Sequence, residues 1–283
     1  MDCVAMAPAS SHFLFDGKYT RFADWRFVHK ARLNLVPLNA NKNGPLPADR
    51  NCRRCGKWVE TLPHVLNHCT SYSAAWQMRH NAVLARIETA IAYRGTILSE
   101  NQAIGPNHLR PDLVAEIDGT IYIVDVTVPF ENRRDAFRLA RERKTTKYQE
   151  LIPLYKNQGY QDVQIVPIVV GSLGAWDPEN DLFLKKVATR SYLAVLRKLC
   201  VSECIRWSRD IYVQHLTGAQ QYSTTNNAIP LELPSTTEAI VNSDNSQVIT
   251  TIDSQDNRDT CSTQISQHCQ ESSPTMEANI VDL

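Results

Sequence analysis

Hydrophobic and polar positions change period several times along the chain, and each change marks an element. Between Leu113 and Thr127 apolar residues crowd on both sides of Asp118-Gly119, a dipeptide suited to the two left-handed positions of a type I′ turn. This predicts a hairpin pairing Ile117 with Thr120, Val114 with Ile123 and Asp112 with Asp125. Period-two alternation then places Ile121, Ile123, Asp125 and Thr127 on one face, with Val114 and Asp112 opposite them. From Glu131 to Leu151 the spacing turns helical, with Ala136, Phe137, Ala140, Tyr148 and Leu151 recurring at three- and four-residue intervals. No Gly or Pro interrupts that stretch, and the acidic Glu131 suits its start. Lys144 falls on the apolar stripe. The near-continuous apolar run Val163 to Trp176 predicts a buried central strand. Further helices are expected at Glu179 to Leu199 and Asn81 to Tyr93, and a helix followed by a loop between Thr20 and Lys42. The order helix, hairpin, helix, strand, helix predicts a mixed α/β layer with one shared core.

The periodicity fails after Thr217. Gly218 to Leu283 holds nine acidic residues and one basic residue, Arg258, a net of 1 − 9 = −8, with no Trp or Phe. Such a segment cannot bury enough surface to offset its ordering entropy, so a disordered acidic tail is expected. Lys plus Arg and Asp plus Glu both total 30, so the preceding residues carry +8, a balance compatible with a nucleic-acid partner. No run approaches the roughly 18 to 20 apolar residues of a spanning helix, and the N-terminus lacks the layout of a signal peptide. An intracellular protein without a membrane partner is the expectation.

Without a secretory signal, the eight cysteines point to metal ligation rather than disulfides. Three of them fall in one window with a histidine: Cys52, Cys55, His64 and Cys69. Two cysteines three apart can turn around one ion, and a His and a Cys five apart can close a tetrahedron. These four are the expected ligands of a structural Zn2+, with His68 as the competitor of His64. Arg53, Arg54 and Lys57, beside Trp58, have the composition of phosphate and base contacts. Cys200 and Cys204 are expected to lie in the core.

The hairpin raises a second question, because like charges facing each other on paired strands are destabilising. A divalent cation reverses that penalty, and two carboxylates are what Mg2+ uses while keeping waters and phosphate oxygens. Asp112 and Asp125 are therefore candidate ligands of Mg2+ or Mn2+. An inward-facing Lys144 could deliver its ammonium to them, with Lys147, one turn on, as the alternative. Arg133, Arg134, Arg138, Arg141 and Arg143 read as a phosphate-contacting or solvated face.

A Cys-Cys-His-Cys knuckle followed by Arg110-Pro111-Asp112, Asp125-Val126-Thr127-Val128 and Lys144-x2-Lys147-Tyr148 resembles the C-terminal region of Pol proteins of site-specific non-LTR retrotransposons of the R-two type. The likeness runs from about Arg21 to Trp207 and includes Ala31-Arg32-Leu33-Asn34 and Arg79-His80-Asn81. It implies a PD-(D/E)xK restriction-endonuclease-like core that cleaves phosphodiesters with a divalent metal. By motif, Asp112 is the first acid and Asp125 the second. Thr127 stands where a lysine is usual, so Lys144 or Lys147 takes that role, with Tyr148 assisting and Glu116 a further acid to weigh. The same resemblance implies nicking of target DNA to leave a 3′ hydroxyl for reverse transcription, with target DNA, element RNA and a reverse-transcriptase portion as partners, in the nucleus. No Tyr-x-Asp-Asp loop is present, so the chain is expected to be a piece that does not polymerise. The implied division is a helical and linker region at 1–50, the knuckle at 51–72, the nuclease at 73–217 and the tail at 218–283. Two rival readings are a non-catalytic nucleic-acid-binding module from a decayed or domesticated element, and an unrelated zinc-stabilised protein acting through its tail.

Overall fold

Four strands form one sheet in the order β1-β2-β3-β4: β1 (Thr96–Glu100), β2 (Leu113–Ile117), β3 (Thr120–Thr127) and β4 (Asp162–Val169). The computed structural model describes residues 2–42 and 49–222; the expected acidic tail, apart from residues 218–222, lies outside them. Eight α-helices accompany the sheet among the described residues: α1 (Asp2–Ala5), α2 (Phe22–Arg32), α3 (Leu62–Asn67), α4 (Ser73–Ala92), α5 (Ala136–Tyr148), α6 (Leu151–Asn157), α7 (Asn180–Val187) and α8 (Arg190–Thr217). The chain is thus a mixed α/β protein. No helix among the described residues is long and apolar enough to cross a membrane.

The hairpin forms in the expected register, with Ile117 paired to Thr120 and Val114 to Ile123. Asp118 and Gly119 both take positive φ, +50° and +76°, the pair of left-handed residues that a type I′ turn requires. Alternation then divides the sheet's side chains. Leu113, Ala115, Tyr122, Val124 and Val126 join the main core, while Val114, Ile121 and Ile123 pack against Tyr148, Leu151 and Tyr155 on the other face.

Several boundaries differ from the periodicity. The helix expected from Glu131 starts at Ala136 and stops at Tyr148. Pro153 explains the stop: its ring excludes the carbonyl four residues back, so the chain restarts as α6 with the proline in the first turn. The helix expected from Glu179 to Leu199 is two helices, divided where Thr189 caps α8 by accepting a bond from the Tyr192 N–H at 3.3 Å. The helix expected from Asn81 begins earlier, at Ser73. Strand β1 was not foreseen; it is short and half-exposed, and a bulge between Ile97 and Ser99 interrupts its register.

Strand β4 is not central. It runs parallel to β3 at the edge of the sheet and ends at Val169, well short of Trp176. Its apolar half is covered by helices rather than by a further strand, and its outward groups are taken by side chains. Asn180 accepts from the Val169 N–H at 2.9 Å and donates to the Val169 carbonyl at 2.7 Å. Pro167 has no N–H to satisfy, and its carbonyl accepts from Arg141 at 2.7 Å. Arg141 also pairs with Asp177, so it is a structural strut rather than part of a phosphate-contacting face.

Glu131 is buried in the loop before α5 instead of opening a helix. Its carboxylate accepts from the Leu173 N–H at 2.8 Å and the Ala175 N–H at 3.1 Å, and burial pushes its pKa up. Arg32 of α2 donates to the Leu173 carbonyl at 2.7 Å from the other side. Helix α8 is the spine against which the remainder docks. Arg86 of α4 pairs with the buried Glu203 at 2.7 Å, Arg79 donates to the Ser208 hydroxyl at 2.9 Å, and the buried His12 Nε2 lies 3.1 Å from the Ser202 hydroxyl. Cys200 and Cys204 sit in this core, as expected.

Two predictions follow from these contacts. A Cβ on Gly171 would collide with the Glu131 carboxylate, so Gly171→Ala is expected to cost about 1–3 kcal/mol in urea unfolding. His12 has its pKa pushed down to about 4, first by burial and then by Lys198. The unfolded chain therefore takes up a proton near its ordinary value of 6.5 before the folded one does. Stability is expected to be full above that pH and to fall as pH drops towards about 4. His12→Gln should flatten that part of the stability–pH curve measured by thermal melting.

Candidate active site and metal centre

The four predicted zinc ligands converge. The ligand atoms of Cys52, Cys55, His64 and Cys69 lie within 4.8 Å of one another. The Sγ atoms of Cys52 and Cys69 are 3.9 Å apart, and Cys55 Sγ is 3.3 Å from His64 Nε2. A tetrahedral Zn2+ with Zn–S bonds of about 2.3 Å separates two sulfurs by about 3.8 Å, so the set fits that ion. Local sequence builds the geometry. Gly56, directly after the second cysteine, takes φ +66°, and its N–H donates back to the Cys52 carbonyl at 2.8 Å to close the turn that carries both cysteines. Thr61 caps α3 by accepting from the His64 N–H at 3.3 Å. The His64 carbonyl then accepts from the N–H groups of both His68 and Cys69, at 2.9 and 2.7 Å, which turns the last cysteine back towards the others. His64 is buried in the cluster while His68 is exposed, which decides between the two histidines. Burial pushes the Cys52 thiol up to about 11 and holds the His64 pKa down, so the neutral imidazole, the form that ligates metal, is favoured.

The knuckle is fastened to α8 through a buried acid. Glu60 accepts from Arg53 Nε at 2.8 Å and lies 3.2 Å from His215 Nε2, while Arg54 Nε donates to the His215 carbonyl at 2.8 Å. Arg53 and Arg54, expected to contact nucleic acid, thus have guanidinium groups engaged in docking. Lys57 and Trp58 remain exposed.

The second constellation lies on the sheet face that packs α5. Asp125 on β3 is only 2% exposed, and a buried carboxylate must be compensated. Lys144 Nζ lies 2.5 Å from its Oδ2, and the Tyr148 hydroxyl bonds its Oδ1. Lys147 donates to that hydroxyl at 2.8 Å and lies over the Tyr148 ring. Lys144 therefore reaches the acid directly, and Lys147 reaches it through Tyr148. Burial and then the bond to Asp125 push the Tyr148 pKa up, so the phenol stays protonated.

Asp112 sits one residue before β2, whose ladder with β3 ends at Leu113 and Val124. It does not pair directly with Asp125 as the hairpin alone suggested. Its Oδ2 instead accepts from the Val126 N–H at 2.7 Å and lies 2.9 Å from His80 Nε2. His80 projects from α4 and is the site residue that sequence reasoning missed: Arg79-His80-Asn81 was noted, but helical spacing cannot show that it meets a strand end. Burial opposes charge on His80, yet Asp112 outweighs it and raises the pKa. Glu116, two alternations along β2, is about 13 Å away by strand rise and stands near Tyr160 instead. A groove of about 640 Å³ opens beside His80 and Asp112, with Asn81, Asn101, Arg206 and Trp207 among its walls. Asp112 borders this groove, whereas Asp125 is not among the residues that line it.

The chain is 26% identical over 192 residues to a "Retrovirus-related Pol polyprotein from type-1 retrotransposable element R2" of Popillia japonica, covering 66% of this chain and 39% of that protein. A second R2 Pol polyprotein from the same organism is 25% identical over 185 residues, 61% of this chain and 29% of its own length. A third is 23% identical over 196 residues, 66% and 43% respectively. These are the proteins to which the order of motifs pointed. The chain spans less than half the length of the curated relatives it matches. No family model matches it.

The knuckle geometry carries its own prediction. The purified chain should contain one Zn2+ per molecule by elemental analysis, His64→Ala and Cys55→Ser should lose it, and His68→Ala should keep it.

Proposed function

We propose that this chain is a divalent-metal-dependent DNA endonuclease of the PD-(D/E)xK type, its nuclease unit at 73–217, that nicks target DNA for an R2-like element. The observation that carries the reading is the meeting of Lys144 with a buried Asp125, beside an Asp112 held by the next strand's backbone. Asp112 and Asp125 would hold Mg2+ or Mn2+, which polarises a phosphoryl oxygen and lowers the pKa of bound water. Lys144 would hold the attacking water and balance charge building on phosphorus. Tyr148 keeps Asp125 oriented and passes the charge of Lys147 towards it, and His80 does the corresponding work for Asp112. The knuckle would place the nucleic acid, with Lys57 and Trp58 as its free contacts. Target DNA, element RNA and a reverse-transcriptase portion are the proposed partners, and the nucleus the proposed place of action.

One observation favours the non-catalytic reading. Both oxygens of Asp125 are already engaged, by Lys144 and by Tyr148, so the arrangement would also serve as a stable scaffold for a binding module. The two readings separate on supercoiled plasmid. The chain should nick it with Mg2+ and not with EDTA, while Asp125→Ala and Lys144→Ala should reduce the rate by on the order of 10²-fold or more. Equal cutting by Asp125→Ala would sink the nuclease reading. Absence of nicking together with salt-sensitive DNA binding would favour the module.

A further inference from the structure

The segment between two of the predicted zinc ligands is bonded to the surroundings of both aspartates. Asn67 is the last residue of α3, three after His64 and two before Cys69. Its Nδ2 donates at 2.8 Å to the Val128 carbonyl, which lies immediately beyond the end of β3 and three residues after Asp125. Through Oδ1 the same side chain accepts from Arg79 at 3.3 Å, and Arg79 also donates to the Leu66 carbonyl at 3.2 Å. Arg79 is buried on α4 and immediately precedes His80, whose Nε2 lies 2.9 Å from Asp112 Oδ2. Two links thus leave the ligand segment, one towards each acid.

The links meet again at Val126. Its N–H donates to Asp112 at 2.7 Å, and its carbonyl lies 3.2 Å from His80 Nε2. Asp112 is thereby hung on the strand that bears Asp125, so the spacing of the two acids depends on the path of residues 126–128. The ladder with β4 ends at Thr127 and Val169. Beyond it the half-buried Val128 carbonyl requires a partner from elsewhere, and Asn67 supplies it.

We infer that the knuckle positions the two aspartates: a metal held by Cys52, Cys55, His64 and Cys69 fixes residues 64–69, and Asn67 passes that placement to the strand end on which Asp112 and Asp125 are set. Asn67 is a positioning residue, since it touches neither acid. This role rests on Asp112 and Asp125 being the ligands of the catalytic ion, and it requires no contact between the knuckle and nucleic acid.

The test is Mn2+ binding to the full, zinc-loaded chain, read by loss of the free-ion EPR signal, with Asp125→Ala marking the part that belongs to the aspartates. Asn67→Asp keeps an acceptor for Arg79 and loses the donor to Val128. It is expected to bind Mn2+ on the order of 10-fold more weakly, with its zinc content retained and its thermal melting little changed. In plasmid nicking the same variant should need about 10-fold more Mg2+ for half-maximal rate and approach the parent's rate at saturation. Thr189→Ala, which loses the cap of α8, controls for general destabilisation and should bind Mn2+ as the parent does. A chain stripped of Zn2+ and dialysed free of chelator should bind Mn2+ at least as weakly as Asn67→Asp; if circular dichroism shows that stripping unfolds it, Asn67→Asp decides. Unchanged Mn2+ affinity in Asn67→Asp would overturn the inference and leave the nuclease reading standing, as would an equal loss in Thr189→Ala. A parent chain whose Mn2+ binding Asp125→Ala does not alter would remove both.

Discussion

A carboxylate in the middle of a folded layer is the constraint from which the rest of the site follows. Asp125 sits on β3 with almost no exposure, and an uncompensated charge there would cost several kcal/mol. The compensation comes from one face of α5: Lys144 on one oxygen, Tyr148 on the other, and Lys147 behind Tyr148. Helix α5 consequently has little freedom to slide along the sheet. The apolar contacts of Tyr148 and Leu151 with Val114, Ile121 and Ile123 hold the same register from below. Packing and charge agree, and the polar cluster that would do chemistry is also what aligns the helix with the strand.

Helix α8 plays the complementary part for everything else. The knuckle, the N-terminal turn and α4 each reach it through a buried polar pair: Glu60 with His215, His12 with Ser202, and Arg86 with Glu203. Such pairs contribute less net stability than their Coulomb attraction suggests, because both partners lose water. They do impose geometry, since breaking one leaves a buried polar group without its partner. The knuckle is thereby set at a fixed place relative to α4, whose His80 holds Asp112. The Cys/His cluster and the aspartate site are tied through the same helix pair.

Much of this was legible wherever the cause is local. The turn at Asp118-Gly119 depends on two adjacent residues, so its register followed from the sequence and holds in the structure. The inward lysine was visible because Lys144 breaks an apolar stripe, and the ligand spacing of the knuckle shows within a single window. The choice of His64 over His68 needed the fold of α3, although the spacing favoured it. What escaped notice was set by distant partners. β1 has too weak a pattern to announce itself, and it exists because β2 offers it an edge. The apolar run of β4 suggested a central strand because helices covering an edge impose the same burial as a neighbouring strand. Glu131 reads as a helix-opening acid until the loop at Gly171 to Ala175 folds over it. His80 and the docking roles of Arg53 and Arg54 depend on side chains up to about 160 residues away in sequence, which no local period encodes.

The covering of β4 also bears on how the chain survives its own folding. In the finished molecule Asn180 occupies both outward groups of Val169, Arg141 takes the Pro167 carbonyl, and Pro167 offers no donor. An extended segment from another molecule finds few unpaired groups to add to at that end of the strand. That protection belongs to α5 and α7, however, and not to the strand. α7 is made some ten residues after the strand it shields, so a nascent or partly unfolded chain presents an apolar, flat edge parallel to β3. The hazardous interval for aggregation is the one before α5 and α7 dock, and it closes when Arg141 and Asn180 reach the strand.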